Sequence, residues 1–454
     1  MEWTQAIITP VYKNGVASQI SNYRPISLTC VACKLMERII VAELLAFLRS
    51  NGVISKQQHG FLSRRSTSTN LLETLSDWTL AINDKRGVQV AYIDYAKAFD
   101  SISHAKLLHK LTAQGITGSL FDWITTFLSQ RTQQTRIGNS VSGSAALTSG
   151  VIQGSVLGPL LFILYINDLP DVLSNSGCFC KMYADDVKLY TCSVIDSNCT
   201  ELQSALDALY EWSALWQLTI SHKKCSCMCV GRTNYAVTCN LKLNGDPITI
   251  VDSSKYLGVT VESNFKFQTH INGIVAKAHA RANLIHKCFI SKDTCTLVMA
   301  FKTYVRPLLE YCSCVWSPYL QTSNRQIESV QRRFTKRLPG LHSLSYLNRL
   351  KTLNLKSLET RRLYFDLILV YKIIFNLIDL DVNMFFTFNR AYCTRGHMYK
   401  LFPVCTRVDV YKHFFSNRVV EPWNSLPAEP HHFSTLSAFK TFLKSVDLSK
   451  FVQQ

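Results

Sequence analysis

Apolar positions recur with a helical period along much of this 454-residue chain. Apolar residues three or four positions apart indicate amphipathic helices. This spacing predicts helices over Lys34–Ser50, Asn70–Ile82, Ser103–Gln114, Leu120–Leu128, Leu157–Leu169 and Ser197–Leu218. In the first of them, Leu35 and Ile39 are expected to face a core together with Leu48. In the second, Asn70 followed by Glu73 resembles a capped helix start.

Other stretches are rich in β-branched and aromatic residues and predict strands. These strands cover Val88–Tyr95, Cys225–Gly231 and Lys255–Glu262. Two shorter apolar runs flank Tyr183-Ala184-Asp185-Asp186 in the sequence CKMYADDVKLY, which predicts a hairpin with YADD at its turn. Beyond about His270 the pattern becomes helical and basic. The chain therefore changes character there, and its length favours two or three packed subdomains.

The charge balance is strongly basic. The chain has 49 Lys and Arg residues against 31 Asp and Glu residues, a formal net charge of +18. An excess of this size indicates a polyanionic partner, and nucleic acid is the leading candidate. A solvated basic surface without a partner is the alternative.

Sixteen cysteines raise the question of zinc or disulfides. Only Cys30 and Cys33 have the CxxC spacing, and no second pair completes four tetrahedral ligands. Reduced thiols are therefore expected. The chain shows no signal peptide after Met1 and no run of ~20 apolar residues. We expect no membrane span and a location in the nucleus or cytoplasm, not secretion.

The adjacent carboxylates of Asp185 and Asp186 would repel each other at a tight turn unless a cation neutralised them. Mg²⁺ prefers carboxylate and phosphate oxygens. Asp94 lies near the end of a predicted strand, 91 residues before Asp185, and neighbouring strands would bring the two together. Two ions ~3.5–4 Å apart activate a 3′-hydroxyl and stabilise a leaving pyrophosphate. The alternative is an ordinary exposed turn.

A series of further motifs accompanies YADD in a fixed order. They are Asn22–Leu28 (NYRPISL), His59–Thr67 (HGFLSRRST), Tyr92–Asp100 (YIDYAKAFD), Gly150–Ser155 (GVIQGS), Leu218–Cys225, Tyr256–Val259 (YLGV), Arg418–Val420 and Trp423–Pro427 (WNSLP). In this order the motifs resemble the reverse transcriptases of non-LTR (LINE-type) retrotransposons, near the jockey and chicken-repeat-like elements. The resemblance covers most of the chain.

The resemblance implies an α+β fold of the right-hand polymerase type. Residues 1–262 would form the fingers and a palm with an antiparallel sheet, 263–340 a basic, helical thumb-like region, and 341–454 a helical C-terminal region typical of the family. Asp94, Asp185 and Asp186 would be the catalytic carboxylates. Together with the backbone carbonyl of Tyr95, they would bind two Mg²⁺ ions, with Mn²⁺ as a possible substitute.

The resemblance also implies how the nucleotide is bound. Arg24 matches a fingers arginine that grips the triphosphate, a task suited to a guanidinium fork. Phe99 matches a steric gate against the ribose 2′-hydroxyl, although a core aromatic is the alternative. Gln153 and Gly154 would contact the incoming nucleotide and template, because a glycine turn lets the backbone approach closely.

Two further sites depend on the same resemblance. Lys224 matches a proton donor to the leaving pyrophosphate. However, Ser221 stands where the family pattern has Asn, so Lys223 and Lys224 both remain candidates. Tyr256 and Gly258 would hold the primer terminus in a primer grip, and strand packing is the alternative for each.

The implied activity is RNA-directed DNA polymerisation with an RNA template, a DNA primer and deoxynucleoside triphosphates. We expect a chain that lacks the family's endonuclease, and its oligomeric state is open. An alternative is a truncated, inactive relic that only binds nucleic acid. A telomerase-like or intron-maturase-like polymerase is a third possibility, which the Trp423–Pro427 match disfavours.

Overall fold

The structure is a computed structural model that describes residues 4–192, 199–231, 240–389 and 397–452. The strands are β1 (Gln5–Tyr12), β2 (Tyr23–Leu28), β3 (Val88–Ile93), β4 (Thr132–Ile137), β5 (Ser140–Val141), β6 (Ala145–Ala146), β7 (Phe179–Tyr183), β8 (Asp186–Thr191), β9 (Ser226–Val230), β10 (Lys242–Leu243), β11 (Asp246–Pro247), β12 (Thr249–Ile250), β13 (Ser253–Tyr256) and β14 (Val259–Glu262).

The helices of the first half are α1 (Val31–Ser50), α2 (Thr67–Asn83), α3 (His104–Ala113), α4 (Gly118–Ser129), α5 (Gly158–Ile166), α6 (Leu169–Leu173) and α7 (Thr200–Leu215). Those of the second half are α8 (Gln268–Cys288), α9 (Thr294–Ala300), α10 (Arg306–Glu310), α11 (Ser313–Trp316), α12 (Gln321–Lys336), α13 (Tyr346–Thr352), α14 (Leu358–Ile374), α15 (Val382–Phe385), α16 (Asp409–Lys412), α17 (Phe415–Arg418), α18 (Val420–Asn424) and α19 (Leu436–Ser445). The predicted helix starting at Ser197 begins outside the described residues, and its described part is α7.

A central sheet with the strand order β12-β9-β3-β8-β7 organises the first half of the chain. Neighbouring strands from β9 to β7 are antiparallel, as predicted for a palm. The two-residue outer strand β12 runs parallel to β9, so the sheet is antiparallel except at this edge. The α+β class is confirmed.

A second, N-terminal sheet has the order β2-β1-β4-β5, with β6 also paired to β4. In it β1 and β2 are antiparallel, whereas β1 and β4 are parallel. This sheet is tied to the rest of the chain through β2, because Ser27 N–H donates to the carbonyl of Gln153 at 2.7 Å. Residues of the NYRPISL motif are thereby held beside the GVIQGS loop.

Two local predictions are wrong. The predicted strand Lys255–Glu262 is a hairpin of β13 and β14, because Leu257 and Gly258 both adopt positive φ angles and reverse the chain. The predicted cap Asn70 lies inside α2, where its side chain donates to the carbonyl of Met182 at 3.1 Å. Ser66 caps this helix instead, accepting from Thr69 N–H.

Helix α1 is oriented differently from the prediction. Leu48 is buried as expected, but Leu35 and Ile39 are 55% and 69% exposed. The buried face carries Glu37, whose carboxylate accepts the N–H groups of Val156 and Leu157 at 2.6 and 2.9 Å. These hydrogen bonds turn the Glu37 face inward, which periodicity alone did not indicate.

Two apolar cores lie on either side of the central sheet. One includes α3, α4, α5 and α7, and the other includes α2, the β13–β14 hairpin and the second half of the chain. Leu71 and Trp78 of α2 share this second core with Val370 and Trp423. The described residues of 341–454 therefore pack into the same core as α2, while the domain boundaries remain predictions.

Two findings concern membrane spans and cysteines. None of the helices in the described ranges combines the length and apolar character needed to cross a membrane. The described cysteines other than Cys199 are free thiols. Cys199 is disulfide-bonded, so the expectation of reduced thiols is wrong at that position.

Candidate active site

Three carboxylates lie at the ends of neighbouring strands in the central sheet. Asp94 directly follows β3, Asp185 lies in the turn between β7 and β8, and Asp186 begins β8. Ile93 is paired with Val187 in the antiparallel β3–β8 register, so Asp94 lies beside the start of β8. The predicted adjacency of the two strands is confirmed, and it brings the three residues together.

The turn that carries Asp185 is held by a segment from far along the chain. Ala184 has a φ of 56°, a conformation that L-residues rarely adopt. The fully buried Gln58 stabilises it, since its Oε1 accepts N–H groups from Ala184 at 2.8 Å and Gly60 at 2.7 Å. A Cβ on Gly60 would lie 2.4 Å from Ala184 N, so only glycine fits. We call residues 55–60 the support loop.

The support loop also pairs with β7, the outermost strand of the central sheet. Met182 N–H donates to the carbonyl of Gln57, and His59 N–H donates to the carbonyl of Met182, both at 2.9 Å. Sequence reasoning does not reveal Gln58, although this residue directly precedes the His59–Thr67 motif. No spacing rule could connect Gln58 to a turn 126 residues away.

The electrostatics of the carboxylates favour a cation. Desolvation raises the pKa of Asp186 to about 6, and the charges of Asp185 and Asp94 add to this rise. Burial likewise raises the pKa of Asp185, and Asp94 adds to the effect. Each shift means that a negative charge is unfavourable at these positions unless a positive charge compensates it.

Basic side chains approach the carboxylates from two sides. Lys224 Nζ lies 3.0 Å from Asp94 Oδ1, which identifies Lys224 rather than Lys223 as the lysine facing the site. Arg24, in strand β2 of the N-terminal sheet, lies close enough for its positive charge to lower the pKa of Asp185. The charge of Lys13, which directly follows β1, also lowers this pKa. The Arg24 side chain is exposed and makes no hydrogen bond or ion pair among the described residues, so its guanidinium is available to an anion.

The backbone after β3 aligns the segment that carries Lys224. Ser221 N–H donates to the carbonyl of Asp94, and Ala96 N–H donates to the carbonyl of Thr219, both at 2.8 Å. The Tyr95 side chain is buried and lies 3.4 Å from Ser213 Oγ. Tyr95 thus anchors the segment after β3 through its side chain. Its backbone carbonyl is the group predicted to bind metal.

The donor set fits a divalent metal ion. Within the described ranges, no three His, Cys, Asp or Glu side chains lie in an arrangement that could hold a metal ion as it stands. Three carboxylates at one edge, two of them with raised pKa values, nevertheless supply hard oxygen donors where negative charge needs compensation. Mg²⁺ takes one or two carboxylates and completes its shell with substrate phosphates and water.

Phe99 lies in an aromatic stack. Its ring stacks on Phe162 of α5 with a centroid distance of 4.4 Å, and Phe61 meets it edge-on at 6.2 Å. Its carbonyl accepts from Val151 N–H at 2.7 Å. Phe99 is half-buried rather than enclosed, so part of the residue remains accessible.

Gln153 is oriented by Asp100, which ends the Tyr92–Asp100 motif. Its Nε2 donates to Asp100 Oδ1 at 2.7 Å. Gly154 has a φ of +124°, and a Cβ there would lie 2.4 Å from the carbonyl oxygen of Ser27. Contact with β2, rather than with a nucleotide, is therefore sufficient to require this glycine.

The two predicted primer-grip residues occupy different environments. Tyr256 is buried, with its ring against Tyr92 and its hydroxyl 3.4 Å from the carbonyl oxygen of Asp186. Gly258 lies in the β13–β14 turn, against the ring of Tyr311. The Tyr311 hydroxyl also donates to the carbonyl of Leu257 at 2.9 Å and thus fixes the turn, a role that no sequence pattern indicates.

Comparison with known proteins identifies the family. The model of the reverse transcriptase (RNA-dependent DNA polymerase) family matches residues 11–261, more than half of the chain. The RNA-directed DNA polymerase from mobile element jockey of Drosophila melanogaster is 28% identical over 74% of this chain and 38% of its own length. The probable RNA-directed DNA polymerase from transposon BS of the same species is 27% identical over 73% of this chain and 38% of its own length.

Among solved structures, apo telomerase from Candida tropicalis has a TM-score of 0.43 and 11% identity, over 80% of this chain and 66% of that chain. A similarity of this size does not bear on the assignment. The chain spans 38% of the length of the jockey and BS relatives. The matched family model and the jockey and BS similarities lead to one conclusion: this chain belongs to the reverse transcriptase family, in its non-LTR retrotransposon group.

Proposed function

We propose that the chain is an RNA-directed DNA polymerase that extends a DNA primer on an RNA template with deoxynucleoside triphosphates. The observation that carries this proposal is the convergence of Asp94, Asp185 and Asp186 beside the cation of Lys224. Reverse transcriptases use divalent metal ions, and this cluster has the donor chemistry for them.

Asp94, Asp185 and the carbonyl of Tyr95, with Asp186 in support, would hold two Mg²⁺ ions, and Mn²⁺ is an acceptable substitute. Bound there, the ions would lower the pKa of the primer 3′-hydroxyl and neutralise charge on the pyrophosphate. Arg24 would bind the triphosphate from the N-terminal sheet. The Lys224 side chain is 64% exposed, so it can leave Asp94, contact the pyrophosphate and donate a proton to the pyrophosphate.

A basic surface supports a nucleic-acid partner. Helices α8 and α12 pack together and expose cations. These exposed residues are Lys277, Arg281 and Lys287 on α8 and Arg325, Arg332, Arg333 and Lys336 on α12. Contacts from such residues to phosphates would hold a duplex by its shape, with strong salt dependence.

The test of the proposal is primer extension on poly(rA)/oligo(dT) with Mg²⁺ and dTTP, accompanied by a duplex-binding measurement. Extension of the primer by the wild-type chain is the expected result. A folded chain that binds the duplex without extending it would overturn the proposal and favour a relic that only binds nucleic acid.

Phe99→Val is expected to increase ribonucleotide incorporation relative to deoxynucleotide incorporation by roughly 10- to 100-fold, because a smaller side chain leaves room for the 2′-hydroxyl. Stacking on Phe162 gives the wild-type ring a fixed position from which to exclude that group. Single-nucleotide incorporation with dTTP and UTP measures the ratio. Phe99→Tyr keeps the ring and should retain wild-type selectivity. Unchanged selectivity in Phe99→Val would show that Phe99 is a core aromatic.

A further inference from the structure

A residue of the C-terminal region contacts the segment that leads from the support loop to α2. Asp379, in the loop after α14, lies 3.1 Å from Arg64 Nε through Oδ1 and 3.5 Å from Arg65 Nε through Oδ2. Asp379 N–H also donates to the carbonyl of Arg64 at 3.0 Å, and Arg64 Nη2 donates to Asn376 Oδ1 at 2.9 Å. This part of the C-terminal region is therefore fixed to the Arg64–Arg65 pair by side chains and backbone.

Arg65 passes this contact on to the support loop. Its Nη1 donates to the carbonyls of Lys56 at 2.7 Å and Gln58 at 2.6 Å, and it lies 3.4 Å from that of Ser55. The guanidinium is planar, so fixing Nε at Asp379 also fixes the direction in which Nη1 points. Arg65 is thus oriented at one end by a carboxylate and bound at the other to the loop backbone.

One side of the support loop faces an open pocket of about 640 Å³, lined by residues 52–57 together with Arg65 and Asp379. On this side the hydrogen bonds from Arg65 hold the loop. On its other side the loop holds the catalytic turn through Gln58 and Met182, as described above. Three successive contacts therefore connect Asp379 to Ala184, the residue before Asp185.

We propose that Asp379 and Arg65 are positioning residues for the catalytic turn, and that the C-terminal region thereby helps to set the geometry of the active site. The inference rests on the proposed polymerase function for its kinetic consequence. A rotated Arg65 would release the loop carbonyls, and the turn carrying Asp185 would lose its fixed position. Misplacement of a catalytic group by about 1 Å can cost up to about 100-fold in rate.

The test compares Asp379→Asn, Arg65→Gln and the double variant in primer extension, with the maximal rate, the KM for dTTP and duplex affinity measured separately. We expect each single variant to lower the maximal rate about tenfold with duplex affinity unchanged. The double variant should be no slower than the slower single one, because both act through one contact. Asp379→Glu should recover part of the rate.

Arg361→Gln is the matched control. Arg361 also carries an ion pair from the C-terminal region, but to Glu310, which is not part of the support loop or the catalytic turn. It should extend primers at the wild-type rate. Equal rate losses in Arg361→Gln and Asp379→Asn, additive losses in the double variant, or a wild-type rate in Asp379→Asn would each overturn the inference.

Hydrogen exchange separates this inference from the proposed activity. The N–H groups of Met182 and Ala184 donate to the support loop, so their exchange should become faster in Asp379→Asn and stay unchanged in Arg361→Gln. Faster exchange in a chain that never extends a primer would support the positioning role and contradict only the polymerase activity. Unchanged exchange in Asp379→Asn would overturn the positioning role.

Discussion

Asp185→Asn is expected to lower primer extension by about 100- to 1,000-fold while leaving duplex binding largely intact. The substitution removes one charge from the three carboxylates that would bind the metal ions, and a lost electrostatic contact to the transition state costs about 100- to 1,000-fold. Asparagine has nearly the same size, so the turn held by Gln58 should keep its shape. Steady-state extension and duplex affinity, measured on the same preparation, test the expectation.

Asp122→Asn provides the control for the charge change. Asp122 lies on an exposed position of α4, outside the carboxylate cluster, so extension should be unaffected. If Asp185→Asn extended primers at the wild-type rate, Asp185 would not be a metal ligand. If it lost duplex affinity to the same degree as activity, its role would be in binding or folding rather than in chemistry.

The carboxylate cluster could be predicted from sequence because its signals are local. A strand ending near Asp94 and a hairpin at YADD place three carboxylates at strand ends, and adjacent strands then bring them together. The order of the motifs, through its resemblance to the family, predicted the other candidate site residues. The structure adds that Lys224 is the lysine that reaches Asp94.

The supports of the site could not be predicted, because they depend on contacts between distant segments. Gln58 and Asp379 act through residues far from them in sequence, and hydrophobic periodicity does not encode such pairs. The inward orientation of Glu37 could not be predicted either. Hydrophobic periodicity places apolar residues, not a carboxylate, on the buried face of a helix. Helices α15–α18 are four or five residues long, too short to leave a periodic signal.

A largely buried ion pair between the central sheet and α2 connects the stability of the sheet to the active site. Lys181, in β7, lies 2.6 Å from Glu73 of α2, and His59 Nε2 lies 3.3 Å from the same carboxylate oxygen. Burial alone would raise the pKa of Glu73, but contact with His59 and the charge of Lys181 outweigh it and lower that pKa to about 2. The strand leading to the catalytic turn is thus pinned to α2 by a buried ion pair.

Glu73→Gln is expected to lower the free energy of unfolding by about 3 kcal/mol at pH 7, because Lys181 then loses the carboxylate that lies 2.6 Å from it. Urea denaturation of wild type and variant measures the difference. The folded-state pKa of Glu73 is below its ordinary value of 4.5, so the stabilisation is complete above about pH 4.5 and is lost as pH falls towards about 2. The two unfolding free energies should therefore converge over that interval.

Glu73→Gln with Lys181→Met separates charge from packing. The double variant removes both ions and should recover most of the lost stability, because two apolar or neutral groups of similar volume replace the pair. A double variant as unstable as Glu73→Gln would indicate that shape, not charge, determines the loss. A stability difference that persists unchanged at pH 2 would contradict the lowered pKa. Convergence would mean that the ion pair holding β7 to α2, and with it the strand leading into the catalytic turn, weakens as Glu73 is protonated.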